Sequence, residues 1–504
     1  MKKIIINNHK SQIIRTRIAP SPTGYMHIGT LRTALYAYLI AKQNNGQFIL
    51  RLEDTDIARY VEGATEAIYS ALKWAGLEYD EGPDIGGPYA PYVQSQRLET
   101  YKKYAQELVE KGHAYYCFCD KEALEKMRNE QIAKKQAPKY DRRCLALSKE
   151  AVAVRQRQDL PYVVRMKIPE NRILKFNDIV RGELVFNTNE LDDQVLLKSD
   201  GYPTYFLAVI VDDYLTKITH VTRTEEWISS FPKLILLYEY FGWGIPQFAH
   251  LPLLLNSDKT KMAKRKGDVA VGDYIKKGYL PHAMINFLAF LGWNPGNEKE
   301  VYLEEKITDE KEALQKLLKS LMQDFDLHKV HTAGAIFNIE KLNWFNQFYI
   351  KQLSDELLFE KCKPFLSKNA SDFSNAQIIK MLNLEKERAK TLSEIGNGVK
   401  FFFELPQYDA SLLIWKNAPI ENIKNTLKIL CDIVEKIADN NFTKENLQEI
   451  IMPEAEKLGN KGTMLWPFRA ALSGQKASPG PFEIAEILEK KETLKRLNSA
   501  LLML

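Results

Sequence analysis

The chain has 504 residues, 45% hydrophobic and 27% charged, with a formal net charge of +5. That length exceeds what one core usually holds, the composition describes a soluble globular protein, and no run of about 18 apolar residues is present to cross a membrane. The mild positive charge permits a nucleic-acid partner without demanding one, and five cysteines, few and odd in number, argue against a disulfide scaffold.

The first residues, Met1-Lys2-Lys3-Ile4-Ile5-Ile6-Asn7-Asn8, turn polar too early for a secretory signal, so a cytoplasmic protein is expected. Ile14, Thr16 and Ile18 alternate with Arg15 and Arg17, the period of a strand. Pro20-Ser21-Pro22-Thr23-Gly24 breaks that strand, and Leu31, Ala34, Leu35, Tyr38 and Leu39 then recur at helical spacing. A strand, a tight loop and a helix N-terminus make an anion site, because unpaired N–H groups and the helix dipole point at the loop. The imidazole of His27 sits at that point.

Phe48-Ile49-Leu50-Arg51-Leu52 follows the Asn44-Asn45-Gly46 turn and predicts a second, parallel strand, with Glu53-Asp54-Thr55-Asp56 at its carboxyl end. The pattern is that of a doubly wound sheet, whose ligand crevice opens at the carboxyl ends of its strands. Helices are expected around Ala64–Ala75 and Arg97–Glu110. From about Tyr115 the texture changes to that of an insertion: a Cys-containing turn, a basic helix, and short strands at Tyr162–Met166 and Glu183–Phe186. The sheet pattern resumes at Thr204–Val211 and Ile218–Val221, and a lysine-rich loop, Asp258–Gly267, interrupts it. Almost everything beyond residue 275 has helical spacing, as in the stripe Ile423, Leu427, Leu430, Val434 and Ile437. Lys261 and Lys264 could close over a triphosphate from the side opposite His27. Charge on the β- and γ-phosphates rises as an acyl group attacks the α-phosphorus, and fixed cations there favour the transition state.

Arg17-Ile18-Ala19-Pro20-Ser21-Pro22-Thr23-Gly24 and His27-Ile28-Gly29-Thr30 resemble the His-Ile-Gly-His motif of class I aminoacyl-tRNA synthetases, with Thr30 in place of the second histidine. Lys261-Met262-Ala263-Lys264-Arg265 resembles their Lys-Met-Ser-Lys-Ser loop, with Ala263 in place of a serine. Arg51–Asp56, Asp80-Glu81-Gly82-Pro83, Ser199–Tyr205 and Arg223-Thr224-Glu225-Glu226-Trp227 follow in the order seen in bacterial glutamyl-tRNA synthetases. The resemblance spans nearly the whole chain. It implies an α/β fold: a Rossmann-like doubly wound parallel sheet with an inserted α+β acceptor-binding domain, followed by an all-α anticodon-binding domain. The expected boundaries are 12–112 and 203–270 for the two halves of the catalytic domain, 113–202 for the insertion, 271–344 for a helical stem-contact domain and 345–504 for the anticodon-binding region.

The family's reaction joins glutamate to ATP as glutamyl-adenylate, with magnesium accompanying the nucleotide, and then passes the glutamyl group to the 3′ end of tRNA(Glu). The tRNA is generally needed for the first step too. By resemblance, Ser21, Gly24, His27, Gly29, Lys261 and Lys264 hold ATP, with His27, Thr30, Lys261 and Lys264 as the catalytic set. Arg17, Ser21, Glu53, Tyr205 and Arg223 hold glutamate, and Arg388 reads the anticodon. A guanidinium pairs in bidentate fashion with the side-chain carboxylate and leaves glutamine one oxygen short. Loss of the serine hydroxyl that Ala263 replaces is expected to leave activity intact, because the cations carry most of the electrostatic work.

Cys117, Cys119 and Cys144 could form a tetrahedral zinc site, but Ala146 stands where zinc-binding relatives have histidine. Tyr140 could supply oxygen as in a shorter relative. The incomplete pattern weighs against a structural zinc, which stays the alternative. Lys134, Lys135, Lys139, Arg142 and Arg143 suit the acceptor end of tRNA. The alternatives are an enzyme that also charges tRNA(Gln) and, from another class, a catalytically weakened tRNA-binding paralogue. Helices rather than β-barrels after residue 345 argue against a glutaminyl enzyme. A monomer and no membrane partner are expected.

Overall fold

The computed structural model describes residues 13–262 and 269–504, and the chain divides into two compact units. The first comprises the residues up to Tyr274 with Met284–Leu303 and Leu314–Ile339; the second comprises Ile275–Ala283, Glu304–Ala313 and Glu340–Leu504.

In the first unit β1 (Arg15–Ile18) leads through α1 (Ile28–Gln43) to β2 (Gln47–Leu50), which runs parallel to β1 with Arg15 opposite Gln47. The turn between α1 and β2 needs its sequence. Asn45 is left-handed (φ 51°), and a Cβ on Gly46 would lie 2.1 Å from the Ile14 carbonyl oxygen. Helices α2 (Ala64–Trp74) and α3 (Leu98–Glu110) follow as expected.

The insertion contains β3 (Ala114–Cys117), α4 (Lys121–Ala133), α5 (Lys149–Arg157), β4 (Val163–Met166), the antiparallel hairpin of β5 (Ile173–Asp178) with β6 (Gly182–Asn187), and β7 (Val195–Leu197). Strands β3, β4 and β7 form a small antiparallel sheet, so the insertion is α+β. The basic run Lys134–Arg143 is not a helix: α4 ends at Ala133, and Lys135 and Arg142 take left-handed φ values.

The parallel α/β fold of the first unit resumes with α6 (Tyr205–Leu215), β8 (His220–Thr224), α7 (Phe231–Phe241) and β9 (Gln247–Leu251). Thr204–Val211 was expected to continue the sheet and is instead the start of α6. An unbroken apolar run does not separate a buried strand from a buried helix by periodicity, and here Leu207–Asp213 is buried on every side. Strands β8 and β9 are parallel. The Thr219 amide donates to the Arg15 carbonyl at 2.9 Å, and the Arg15 amide to Thr219 Oγ1 at 2.8 Å, joining β8 to β1. The strand order is therefore β2-β1-β8-β9. The chain winds outward from β1 on one side, then crosses back to wind outward on the other, and the crevice opens at that switch between β1 and β8. All four residues of β1 are buried, as in a central parallel strand. Its arginine face is not solvated: Arg15 makes bidentate bonds to Glu81 at 2.7 and 2.9 Å.

The second unit is helical. Ile420–Lys436 buries Ile423, Leu427, Leu430 and Val434, the predicted stripe, with Ile437 at its C-cap. It packs with Gly462–Ser473 and Pro481–Met503. Asn375–Lys386 begins with a capping box between Ser374 and Gln377.

Gly46→Ala should lower stability by about 1–3 kcal/mol, since the added methyl meets backbone that cannot rotate away. Thermal unfolding of the purified chain against wild type measures this as a lowered midpoint.

Candidate active site

A cleft of about 460 Å3 lies at the switch point. Its lining includes Arg17, Ala19, His27, Gly29, Thr30, Glu53, Tyr205, Arg223, Glu226, Trp227, Lys261 and Met262. Eight of the residues singled out in the sequence thus share one cavity although they come from five separate stretches of chain: Arg17, His27, Gly29, Thr30, Glu53, Tyr205, Arg223 and Lys261. Ser21 is exposed, and neither it nor Gly24 lines the cleft. Lys264, like Ala263, lies outside the described residues.

His27 is the N-cap of α1, and its Nδ1 accepts the Gly29 amide at 2.9 Å. With Nδ1 an acceptor, the neutral ring carries its proton on Nε2, the donor a phosphate oxygen requires. Gly29 keeps this cap compact: a Cβ there would be 3.2 Å from Nδ1. The lysine segment is brought alongside by two contacts. The buried Arg32 of α1 donates to the carbonyl of Pro252, just ahead of the segment, and to that of Leu291. Beyond the lysines, the Ile28 amide donates to the Val269 carbonyl and the Val271 amide to the Met26 carbonyl. Lys261 pairs with Glu226, whose other oxygen accepts from Thr224 Oγ1 at 3.0 Å.

The opposite end of the cleft is a buried charge network. Arg17 donates to both oxygens of Asp213, at 3.1 and 3.3 Å. Arg51 donates to Asp213 at 2.6 Å and to Glu53 at 2.9 Å. Burial works to raise the Asp213 carboxyl, but Arg17 and Arg51 together outweigh it and hold the group below its ordinary value. Glu53 is pushed up by burial, with Arg51 opposing the shift. The neighbouring Asp212 is satisfied by Arg97 at 2.8 Å, Tyr101 and Gln94.

Arg223 enters from β8. Its Nη1 donates to the Tyr205 hydroxyl at 3.0 Å and its Nε to His250 Nε2 at 3.0 Å. Its Nη2 is buried with no hydrogen-bond partner among the described residues. Tyr205 opens α6 and stacks on Trp227 with centroids 4.5 Å apart; burial raises its hydroxyl, which stays protonated and able to donate. Arg17 and Arg51 share Asp213, Arg51 also meets Glu53 and lies 3.7 Å from Asp212, and Arg223 has no direct carboxylate partner among the described residues. Sequence reasoning gave no role to Asp213, Asp178 or His250, and none to Arg51 or Glu226 although both lie in the quoted motifs.

Away from the cleft, the Sγ atoms of Cys117, Cys119 and Cys144 lie within 4.8 Å of one another, with Cys119 and Cys144 at 3.6 Å. The Tyr140 hydroxyl is 3.3 Å from both Cys117 and Cys119. Three thiols around a zinc with Zn–S bonds of about 2.3 Å would be roughly 3.8 Å apart, close to the 3.6 Å between Cys119 and Cys144, and the Tyr140 hydroxyl lies beside the cluster. Hydrogen bonds from Cys144, then Tyr140 and Arg165, pull the Cys117 thiol well below its ordinary value against the effect of burial. In the helical unit Arg388 lies just past the helix Asn375–Lys386, its guanidinium held by the buried carboxylate of Glu385.

Residues 13–344 match the family described as tRNA synthetases class I (E and Q), catalytic domain, and residues 357–501 match an anticodon binding domain. The glutamate–tRNA ligases of Clostridium kluyveri and Clostridium tetani are each 45% identical to this chain, with 96% of both partners covered. A crystal structure of a glutamate tRNA ligase from Elizabethkingia meningosepticum, in complex with its amino acid, superimposes with a TM-score of 0.84. It is 39% identical, and the match covers 98% of this chain and 100% of that one.

Replacing Asp213 by Asn should cost about 3–5 kcal/mol, because Arg17 and Arg51 lose their shared counter-charge in a buried setting. The folded-state value of Asp213 is depressed, so its contribution is full above the ordinary carboxylate range and is lost as pH falls through the lowered value. Thermal unfolding should separate wild type from variant at neutral pH and show them converging at strongly acidic pH.

Proposed function

The chain belongs to the class I tRNA synthetase family that serves glutamate and glutamine, and on that footing we propose which residues carry each step of its reaction. The reaction is the ATP-driven ligation of L-glutamate to tRNA. The observation that carries the assignment of roles is the buried Arg223 guanidinium, which has no direct carboxylate partner among the described residues and an unused Nη2. Glutamate has a net charge of minus one and balances it. Glutamine is neutral and would leave a guanidinium unpaired in a poorly hydrated site, which is a strong basis for rejection.

In this scheme Arg223 and Arg17 take the carboxylates of glutamate, the Tyr205 hydroxyl donates to one of them, and Glu53 receives the α-ammonium. The α-carboxylate then attacks the α-phosphorus of ATP with departure of pyrophosphate. His27, through Nε2–H at the N-terminus of α1, holds phosphate oxygens, with Gly29 and Thr30 lining the same end of the cleft. Lys261 and Lys264 neutralise the charge that accumulates on the leaving pyrophosphate, and Lys261 must exchange Glu226 for phosphate to do so. Magnesium would accompany the triphosphate as its counter-ion. Transfer of the glutamyl group to the terminal ribose hydroxyl of tRNA(Glu) completes the cycle. The 113–202 insertion, with Lys139 and Arg142 near its surface, suits the acceptor end. The 271–344 segment suits the stem, and residues 345–504, with Arg388 braced on Glu385, suit unpaired anticodon bases. Among the described residues no helix is long and apolar enough to cross a membrane.

Pyrophosphate exchange with glutamate, with and without tRNA, tests this scheme. Exchange should be supported by glutamate and not by glutamine, and Arg223→Ala should lose at least about 30-fold in kcat/KM for glutamate, the low end for truncating one partner of a buried charge pair. Absence of exchange in wild type with tRNA present would point to the weakened tRNA-binding paralogue instead.

The convergence of Tyr140 on three thiols also supports a structural zinc in the insertion, contrary to the expectation drawn from Ala146. Cys117, Cys119, Cys144 and Tyr140 would hold it, tying β3 to the loop after α4. Elemental analysis of the purified full-length protein should find about one zinc per chain, lost in Cys144→Ser. Wild-type protein without stoichiometric zinc would overturn the assignment.

A further inference from the structure

Arg223 has a second set of contacts on the side away from Tyr205. Its Nε bonds His250 Nε2 at 3.0 Å, and the guanidinium carbon lies 5.1 and 5.0 Å from the ring centres of Phe231 and Phe248. His250, on β9, places Nδ1 2.6 Å from Asp178 Oδ2, and neither residue has exposed side-chain surface. Asp178 is itself fixed, since its carboxylate also accepts the amides of Val180, Arg181 and His250. Arg181 donates from Nε to the His250 carbonyl at 3.1 Å and pairs with Glu225 at 2.7 Å, so the charges beside this imidazole are Asp178, Arg223, Arg181 and Glu225.

The chemistry of the chain of bonds allows one arrangement. A guanidinium only donates, so His250 Nε2 must accept; an ionised carboxylate only accepts, so His250 Nδ1 must donate. The ring is therefore neutral with its proton on Nδ1. Burial, with the nearby Arg223, holds it below its ordinary value despite Asp178. In the other tautomer an Nε2–H would face the Arg223 Nε–H, and the guanidinium would have to turn away. With Nε committed to His250 and Nη1 to Tyr205, Nη2 is the nitrogen left without a partner among the described residues.

We propose that His250, held as the Nδ1–H tautomer by Asp178, is a positioning residue that fixes the orientation of Arg223 and thereby sets affinity and selectivity for the glutamate side-chain carboxylate. The inference rests on the function proposed above, in which Arg223 and Arg17 take the carboxylates of glutamate, and it assigns the side-chain carboxylate to Arg223. Asp178 belongs to the β5–β6 hairpin of the insertion, so the amino-acid pocket takes one of its supports from a segment outside the nucleotide-binding sheet.

The test is aminoacylation of tRNA(Glu) by the full-length enzyme. His250→Leu removes the acceptor and should raise KM for glutamate on the order of 30-fold, with KM for ATP changed less than about two-fold and selectivity over glutamine reduced. His250→Gln, whose carbonyl can occupy the place of Nε2, should recover most of the loss. In wild type, 15N chemical shifts of the assigned His250 ring should report the neutral Nδ1–H form, a measurement independent of whether any variant folds. An Nε2–H ring in wild type would overturn the proposal. So would a folded His250→Leu enzyme with unchanged KM for glutamate, or variants in which both KM values and kcat shift together. Arg223→Ala is the control: if it too leaves glutamate use unchanged, the fault lies with the assignment of Arg223 rather than with His250.

Discussion

The Asp213 carboxylate is the point on which the catalytic unit depends. Its two oxygens are shared by Arg17 from the central strand and Arg51 from the end of its neighbour, and Asp213 is itself presented by α6. Two guanidinium groups could not lie so close together inside a protein without it, since burying a charge is tolerable only when the charge is paired and hydrogen-bonded. The same bonds fix the registry of strand, strand and helix and leave Glu53 and Arg223 as the remaining charged groups at that end. Folding and selectivity thus draw on one set of interactions, and the cavity is formed before any ligand enters it.

The two ends of the cleft differ in kind. Around Arg17 and Arg223 the walls are buried, and electrostatic preference is strong because water screens it little. Around His27 and Lys261 the site is open, and Lys261 pairs with Glu226 in a contact that solvent reaches. This suits the two reactants. A small amino acid needs discrimination, whereas a triphosphate brings enough charge of its own to displace a weak surface ion pair.

Much of this was legible in the sequence because chemistry-bearing motifs fell at positions that chain topology must bring together. Arg17, His27, Thr30, Glu53, Tyr205, Arg223 and Lys261 all line the cleft. What was not legible depended on contacts distant in sequence. His250 and Asp178 are 72 positions apart, and nothing local to either marks the bond between them. Asp213 looks like the polar end of an apolar run, and that run, taken for a strand, is a helix because burial on all sides erases the periodicity that would have told the two apart. Tyr140 was noticed but outweighed by Ala146. One-dimensional spacing recorded the missing histidine, while only the fold shows that the phenol reaches both thiols of the Cys-x-Cys turn.

That Asp178 comes from the insertion has a consequence for how this protein can be taken apart. By chain order the insertion is a module bolted between two halves of a sheet, and module boundaries are where recombination, trimming and grafting are normally expected to succeed. Here one hydrogen bond reaches back across that seam into the pocket that chooses the amino acid. A transplanted insertion from a distant relative would have to bring a carboxylate to the same spot, or the recipient would lose fidelity for its substrate while looking intact at every residue that touches it. The unit of inheritance and the unit of function are therefore not the same stretch of chain.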